Sequence, residues 1–387
     1  MTRRLGVLAI FALIVSPAFG AEAGWEYLFN GQNLDGWKTV GVQDWSVEDG
    51  NIVAKARSEE NGWLVTQREF GDFILRFRFK WSGGDSGTQF RSHFEGDEMA
   101  GYQANLDAGR QFATGSLLEL MGRKLVRESE YPAECLVTRD KWTEYEISAI
   151  GNHIQIRVNG LKTLDMVDKK GPKRGFIALQ MCSPDEARIE WTDVRVLEIP
   201  SGANWQSLFN GDDLTGWRPL GDAKWSVIDG AIVGKSESKD VGYGWLVSEN
   251  EYADFYFSTR FYMPKGNSGI QFRSWQVENM INGFQADLAS DSDWISGHLY
   301  DQGERGVFVK TEKDFTNLIN WDGWNTYEIT AIGPKVQLFI NGIQSIECVD
   351  PTRTKKGVFA FQMHAGIAMQ TTWKDIRLIS FDGLEKK

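Results

Sequence analysis

Apolar and polar residues alternate with a period of two through most patterned segments of this chain. In Asp72–Trp81, Phe73, Leu75, Phe77, Phe79 and Trp81 fall on one side, opposite Ile74, Arg76, Arg78 and Lys80. That is the signature of a strand with one face in a core. Trp45–Lys55 reads as two strands joined at Asp49-Gly50, a pair that favours a type I′ hairpin. Ile154, Ile156 and Val158 share a face, and Asn159-Gly160 turns that strand back into Leu161–Val167. Phe176–Met181 and Ile189–Val196 read as closing strands. Outside the first twenty residues no 3.6-residue apolar period is sustained. The pattern predicts an all-β fold of antiparallel sandwiches, each of two packed sheets in jelly-roll form.

The pattern is written twice. Leu28-Phe29-Asn30-Gly31 returns as Leu208-Phe209-Asn210-Gly211, and the Trp45–Gly50 hairpin as Trp225–Gly230, a shift of 180. From Trp63-Leu64-Val65, matched by Trp245-Leu246-Val247, the shift is 182 and holds as far as Trp191 and Trp373. A repeat of this size is a whole domain. The expected organisation is a leader over 1–20, a first jelly-roll domain over 21–199 and a second over 200–387. The linker around Ile199-Pro200-Ser201-Gly202 is too short to let the halves tumble independently.

The leader reading rests on Arg3 and Arg4, the apolar run Leu5–Val15 and the small residues of Ala18-Phe19-Gly20. These read as a secretory signal cut before Ala21, so a secreted or periplasmic protein is expected. The apolar run is short for a membrane anchor, and no later segment approaches transmembrane length. Formal charge is −11, becoming −13 once Arg3 and Arg4 leave with the signal. That balance argues against nucleic acid and anionic membranes as partners, and leaves neutral ligands such as sugars open. Cys135, Cys182 and Cys348 permit one bridge and a free thiol, or no bridge; Cys182 and Cys348 sit in apolar patterns that suit buried thiols. The four histidines show no zinc-type spacing. No cofactor is expected. Oxygen-rich loops such as Asn210–Asp213 would suit a divalent cation, but no EF-hand-like spacing supports one.

Candidate chemistry concentrates between Asn267 and Asp301. Ile270-Gln271-Phe272-Arg273 and Phe284-Gln285-Ala286-Asp287-Leu288 both alternate, so neighbouring strands here would present Gln271, Arg273, Gln285 and Asp287 on one face. The motifs LFNG-x-x-L-x-GW, W-x-V-x-DG, NSG-I-Q-FR, G-[YF]-Q-A-D-L, W-x-x-G-x-LYD, WN-x-Y-x-I and G-x-x-A-x-Q occur in this order. Together they resemble the 3-keto-disaccharide hydrolase family domain, and the resemblance covers both copies. It implies a concanavalin- or laminin-G-like jelly roll. It also implies cleavage of a glycosidic bond in a sugar already oxidised to a ketone at carbon 3.

Such a ketone acidifies the hydrogen on carbon 2, so elimination followed by water addition competes with direct hydrolysis. Either route needs a base or nucleophile, an acid, and donors for developing negative charge. Asp287 is the candidate base, with Asp301 or His298 as the acid. Asn267, Gln271, Arg273 and Gln285 are candidates to hold the ketone and hydroxyls, with Trp294 and Tyr300 to stack on the sugar. In the first copy Gln89, Arg91, Gln103 and Glu119 match Gln271, Arg273, Gln285 and Asp301. Asp287 there meets Asn105, His298 meets Ser116, Tyr300 meets Leu118 and Asn267 meets Asp85. Because an amide is no base, the second half is expected to be the active copy.

Plainer roles compete. Arg273 and Arg91 suit ion pairs on the solvent side of a sheet. Asp287 suits capping the turn before Ser290–Asp293, and His298 a structural hydrogen bond. Trp45, Trp225, Trp191 and Trp373 suit the core. A glycan-binding module without catalysis is the main rival function, and a rigid scaffold the weaker one.

Overall fold

The structure, a computed structural model, describes residues 24–106, 113–132, 135–183, 187–290, 296–353 and 355–382; residues 1–20, expected to be a signal, and Trp294 lie outside them. Among the described residues there is no helix, and every strand pairing is antiparallel and stays within one half. Two tandem β-sandwiches result. The turns predicted at Asp49-Gly50 and Asn159-Gly160 carry positive φ at both positions, +50° and +76°, then +48° and +74°, as a type I′ turn demands.

In the second half the outer sheet runs Trp217–Gly221, Gly244–Tyr252, Gly357–Met363, Asn267–Val277, Met280–Ala289, Leu299–Gln302, Gly306–Val309. The inner sheet runs Lys224–Ile228, Ala231–Ser236, Met369–Ser380, Phe255–Tyr262, Asn325–Ile332, Lys335–Ile340, Ile343–Val349. Between them pack Phe257, Ile270, Phe272, Phe284, Leu338, Phe361 and Trp373. The first half repeats both orders around Phe77, Phe79, Phe90, Tyr145 and Trp191. Trp191 and Trp373 are fully buried, while Trp45 and Trp225 pack against the cores from their edges.

The two inner sheets face each other. Ile74, Ile150, Leu197 and Ile199 of one half meet Tyr256, Ile332, Phe339 and Ile379 of the other, with Trp25 between them. The contact has an approximate twofold. Trp25 donates its indole N–H to Thr330 Oγ1 at 2.9 Å, and Trp205, its counterpart, donates to Ser148 Oγ at 2.9 Å. Arg195 donates to Glu328 at 3.3 Å, and Arg377 to Glu146 at 2.8 Å. Arg76 joins the set by bonding Glu144 at 2.6 Å, Glu328 at 2.5 Å, and Glu146. The polar face of Asp72–Trp81 therefore meets the other half at Ile74 and Arg76, and only the two outer sheets keep a face free of the other half.

Candidate functional site

Parity along the outer sheet of the second half decides which side chains meet. Leu246, Ile270, Phe272, Ala286, Leu299 and Phe361 point into the core, so their neighbours point away from it. Two cross-strand rows follow. In one, Trp245 is paired with Gln362, Gln362 is in register with Gly269, and Gly269 is paired with Asp287. The ladder continues so that Asp287 faces His298, whose carbonyl accepts the Asp287 N–H at 3.1 Å. In the other, Val247, Ala360, Gln271, Gln285 and Tyr300 lie side by side.

A relay crosses the rows. Gln271 Nε2 donates to Gln285 Oε1 at 2.7 Å, and Gln285 Nε2 donates to Asp287 Oδ1 at 2.9 Å. Gly269 makes this possible: a Cβ there would lie 2.6 Å from Gln285. Asp287 is 3% exposed. Burial pushes its carboxyl up to about 7, although the Gln285 bond favours the ionised form. Burial, with the nearby Lys310 charge, holds His298 below its ordinary range, so its imidazole is neutral near pH 7.

Three polar atoms in the Asp287 row have no hydrogen-bond partner among the described residues: Trp245 Nε1, Gln362 Oε1 and His298 Nδ1. Leaving such atoms unmet costs about 1–3 kcal/mol each, and folded proteins rarely leave three together. They supply a donor, an acceptor and a neutral ring nitrogen beside a carboxyl, which suits a ligand rich in hydroxyls. Tyr243 extends the wall: it stacks on Trp245 with ring centres 6.1 Å apart, and its hydroxyl lies 3.2 Å from His364 Nε2.

Several expected residues lie elsewhere. Arg273 does not share the Gln271 face. A bulge between Phe272 and Trp275 gives it a φ of +48° and turns it aside. Its guanidinium donates to Ala253 O at 2.8 Å, Gly333 O at 2.7 Å and Asp254 Oδ1 at 3.0 Å. Arg91, with a φ of +50°, grips Gly71 O, Gly151 O, Ala149 O and Asp72 in the same way. Both are buried clamps tying an outer strand to turns of the inner sheet, neither ligand contacts nor solvent-side ion pairs. Arg273→Gln is accordingly expected to cost roughly 3 kcal/mol in denaturant unfolding, with KM of the folded protein unmoved.

Asp301 also departs from expectation. It pairs with Phe284, not with Gln285, so it lies on the core side of its strand. Arg305 and Arg353 hold it there, and Arg305 reaches on to Asp350 at 2.6 Å. Asp301 and Asp287 therefore open on opposite faces of the sheet, and the carboxylate pair expected between them is not formed. Glu119 repeats the arrangement with Arg123, which also binds Asp168. Asn267 lies on the outer face two positions from Gly269, where its carbonyl accepts the His364 N–H at 3.3 Å. Tyr300 stays beside Gln285.

The first half keeps the relay and changes its end. Gln89 donates to Gln103 at 2.8 Å, and Gln103 donates to the Asn105 amide oxygen at 3.0 Å. Trp63 and Gln180 stand where Trp245 and Gln362 do, with Trp63 Nε1 and Gln180 Oε1 again unmet among the described residues. Asn61 and Cys182 replace Tyr243 and His364. Trp245, Gln362, Tyr243 and His364 were missed in the sequence, yet Phe359 and Phe361 alternate with Ala360 and Gln362 there.

None of the three cysteines forms a disulfide among the described residues. Among the described residues no three His, Cys, Asp or Glu side chains gather as a metal site, and no helix is long and apolar enough to cross a membrane. The oxygens of Asn210 and Asp213 accept the backbone N–H groups of Asp212, Asp213 and Thr215, which is turn capping.

Solved structures that resemble the chain each overlay about half of it. A candidate glycosyl hydrolase from Parabacteroides distasonis is 21% identical, over 46% of this chain and 100% of that one, with a TM-score of 0.36. A carbohydrate-binding module from Bacillus subtilis is 16% identical over 43% and 96%, with a TM-score of 0.35. A Bacillus subtilis protein with a galectin-like fold is 13% identical over 47% and 97%, with a TM-score of 0.39. No curated protein matches the chain. The 3-keto-alpha-glucoside-1,2-lyase-like domain matches residues 24–197 and again 204–379, and the chain belongs to that family as a tandem of two copies.

Proposed function

We propose that the second half cleaves 3-keto glucosides by elimination across carbons 1 and 2. One observation carries the reading: a buried carboxyl poised near neutrality shares a sheet row with three unmet polar atoms. In the Asp287 carboxylate form, the base takes the proton from carbon 2. The C–H electron pair moves into a bond between carbons 2 and 3, and the carbonyl becomes an enolate. When the enolate collapses, a double bond forms between carbons 1 and 2 and the bond from carbon 1 to the glycosidic oxygen breaks. The departing oxygen takes up a proton, which the now protonated Asp287 can return, and neutral His298 on the same row can hydrogen-bond that oxygen as it leaves. The N–H groups of Gln271, Gln285 and Trp245 are suited to the ketone and hydroxyls.

Asp301 lies on the core side of the sheet, away from Asp287, and this supports elimination over the paired-acid routes of ordinary glycosidases, which need two carboxylates in one cleft. Asn105 at the end of the first-half relay supports a different role there, holding a sugar without removing a proton.

The test is incubation with a 3-keto glucoside and its unoxidised parent, following the unsaturated keto product. Only the oxidised substrate should react. Because Asp287 must be ionised to act, kcat/KM should rise about tenfold per pH unit below about 7 and level above it. A rate that instead falls through pH 7 would make Asp287 an acid and reverse the assignment; equal turnover of the parent would remove the ketone from the mechanism.

A further inference from the structure

The contact between the halves contains a small recess of about 10 Å³, lined chiefly by Arg76, Arg157, Arg260, Arg377, Glu146 and Asp375. Its charges do not balance. With Arg195 and Glu328, the buried cluster and its rim hold five guanidinium groups against four carboxylates, the fourth being Glu144. Arg157 and Arg260 are the under-served members. Arg157 donates to Gly160 O at 3.1 Å with Glu146 standing off at 3.9 Å, the Arg260 guanidinium donates no hydrogen bond among the described residues, and the Nε of each lacks a hydrogen-bond partner there. Asp375, on the rim, stands off at 3.8 Å from Arg157 and 3.9 Å from Arg260. Burial and the Arg377 charge push Arg157 down to about 10, as expected of a cation with too little opposite charge nearby.

The approximate twofold shows what is missing. Gly342 corresponds to Gly160, and a Cβ on Gly342 would lie 3.2 Å from the Glu144 side chain. At Gly160 the corresponding neighbour is Thr326, whose hydroxyl would lie 2.8 Å from such a Cβ. Residues 144 and 326 are repeat equivalents, as are 157 and 339. One side of the contact therefore has a carboxylate, and Phe339 with the Arg195 guanidinium 3.9 Å from its ring centre. The other has a hydroxyl, and a second arginine where the ring would be.

We infer that this recess binds a small anion of chloride size between Arg157, Arg260 and Thr326, and that the anion takes the place of the carboxylate the second copy lacks. The inference rests on the contact between the halves and is independent of the proposed elimination. A buried guanidinium without a counter-charge is costly, and an anion held only when the halves are docked stabilises the docked state by mass action.

The experiment is thermal unfolding of the full chain in sodium gluconate, with chloride replacing gluconate at constant ionic strength. The melting temperature should rise saturably, by about 3 °C at tenfold over the dissociation constant. Thr326→Glu, which restores the carboxylate, should melt near the chloride-saturated value with no further response, and Arg260→Gln should respond to neither salt. An equal response to gluconate and chloride, or a chloride response surviving in both variants, would overturn the inference. Should the variants fail to fold, the native chain alone decides. Excess ³⁵Cl line broadening that bromide displaces and unfolding abolishes is expected, and its absence would overturn the site.

Discussion

Asp287→Asn is expected to abolish turnover of a 3-keto glucoside and at the same time to stabilise the protein. Loss of a general base typically removes 10²–10⁴-fold in rate, so activity should fall by about 10³-fold. The stability change follows from the same burial. The Asp287 carboxyl is raised from 3.8 to about 7, so the fold favours its protonated form. That contribution is complete below about pH 4, where both states are protonated, and is lost as pH rises through about 7. Above pH 7 the fold carries a buried charge at a cost of about 4 kcal/mol, three pKa units' worth. Asparagine carries none, and the first half already shows that an amide fits: Gln103 donates to Asn105 at 3.0 Å where Gln285 donates to Asp287 at 2.9 Å. The stability advantage of the variant should grow between about pH 4 and 7 and then level. Denaturant unfolding of both proteins at pH 5 and pH 8 measures it. Equal stability at pH 8 would mean that Asp287 is not held near neutrality. Stabilisation without loss of turnover would leave a buried acid that is not the base.

The fold was legible because period-two alternation and Asp-Gly or Asn-Gly turns are local signals, and a chain written twice states each of them twice. The face shared by Gln271, Gln285 and Asp287 was legible for the same reason. Arg273 was not, because a bulge changes parity without changing the letters, and a positive φ on an arginine leaves no mark in composition. Asp301 was readable in principle. Tyr300 and Asp301 are adjacent and cannot both join Gln285 on one face, so choosing Tyr300 for the sugar already excluded Asp301 from the same cleft. Trp245 and Gln362 come from strands distant in sequence, and only the strand order of the outer sheet brings them into one row with Asp287. The burial of Arg76 was hidden because alternation tells which residues share a face, not what covers that face.

Glu328→Gln is expected to have the largest effect on stability outside the candidate site, and to act on the joint between the halves. The Glu328 side chain is fully buried and accepts from Arg76 at 2.5 Å, Arg195 at 3.3 Å and the Tyr256 hydroxyl at 2.8 Å. Two of these donors come from the other half. Removing its charge leaves two buried guanidinium groups facing a neutral amide, and breaking a buried pair from one side costs about 3–5 kcal/mol. Glu48→Gln is the contrast: Glu48 pairs with Lys55 at 2.6 Å and Arg188 at 2.8 Å, but on the surface, where such pairs contribute about 0–1 kcal/mol. The wild-type halves share the apolar contact around Trp25 and Phe339 as well as the ion cluster, so they should unfold in one transition. With the cluster broken from one side, the joint should yield before either sandwich core, and denaturant unfolding should become biphasic. A Glu328→Gln shift no larger than that of Glu48→Gln would mean that water reaches the cluster and that the halves are joined by their apolar contact alone.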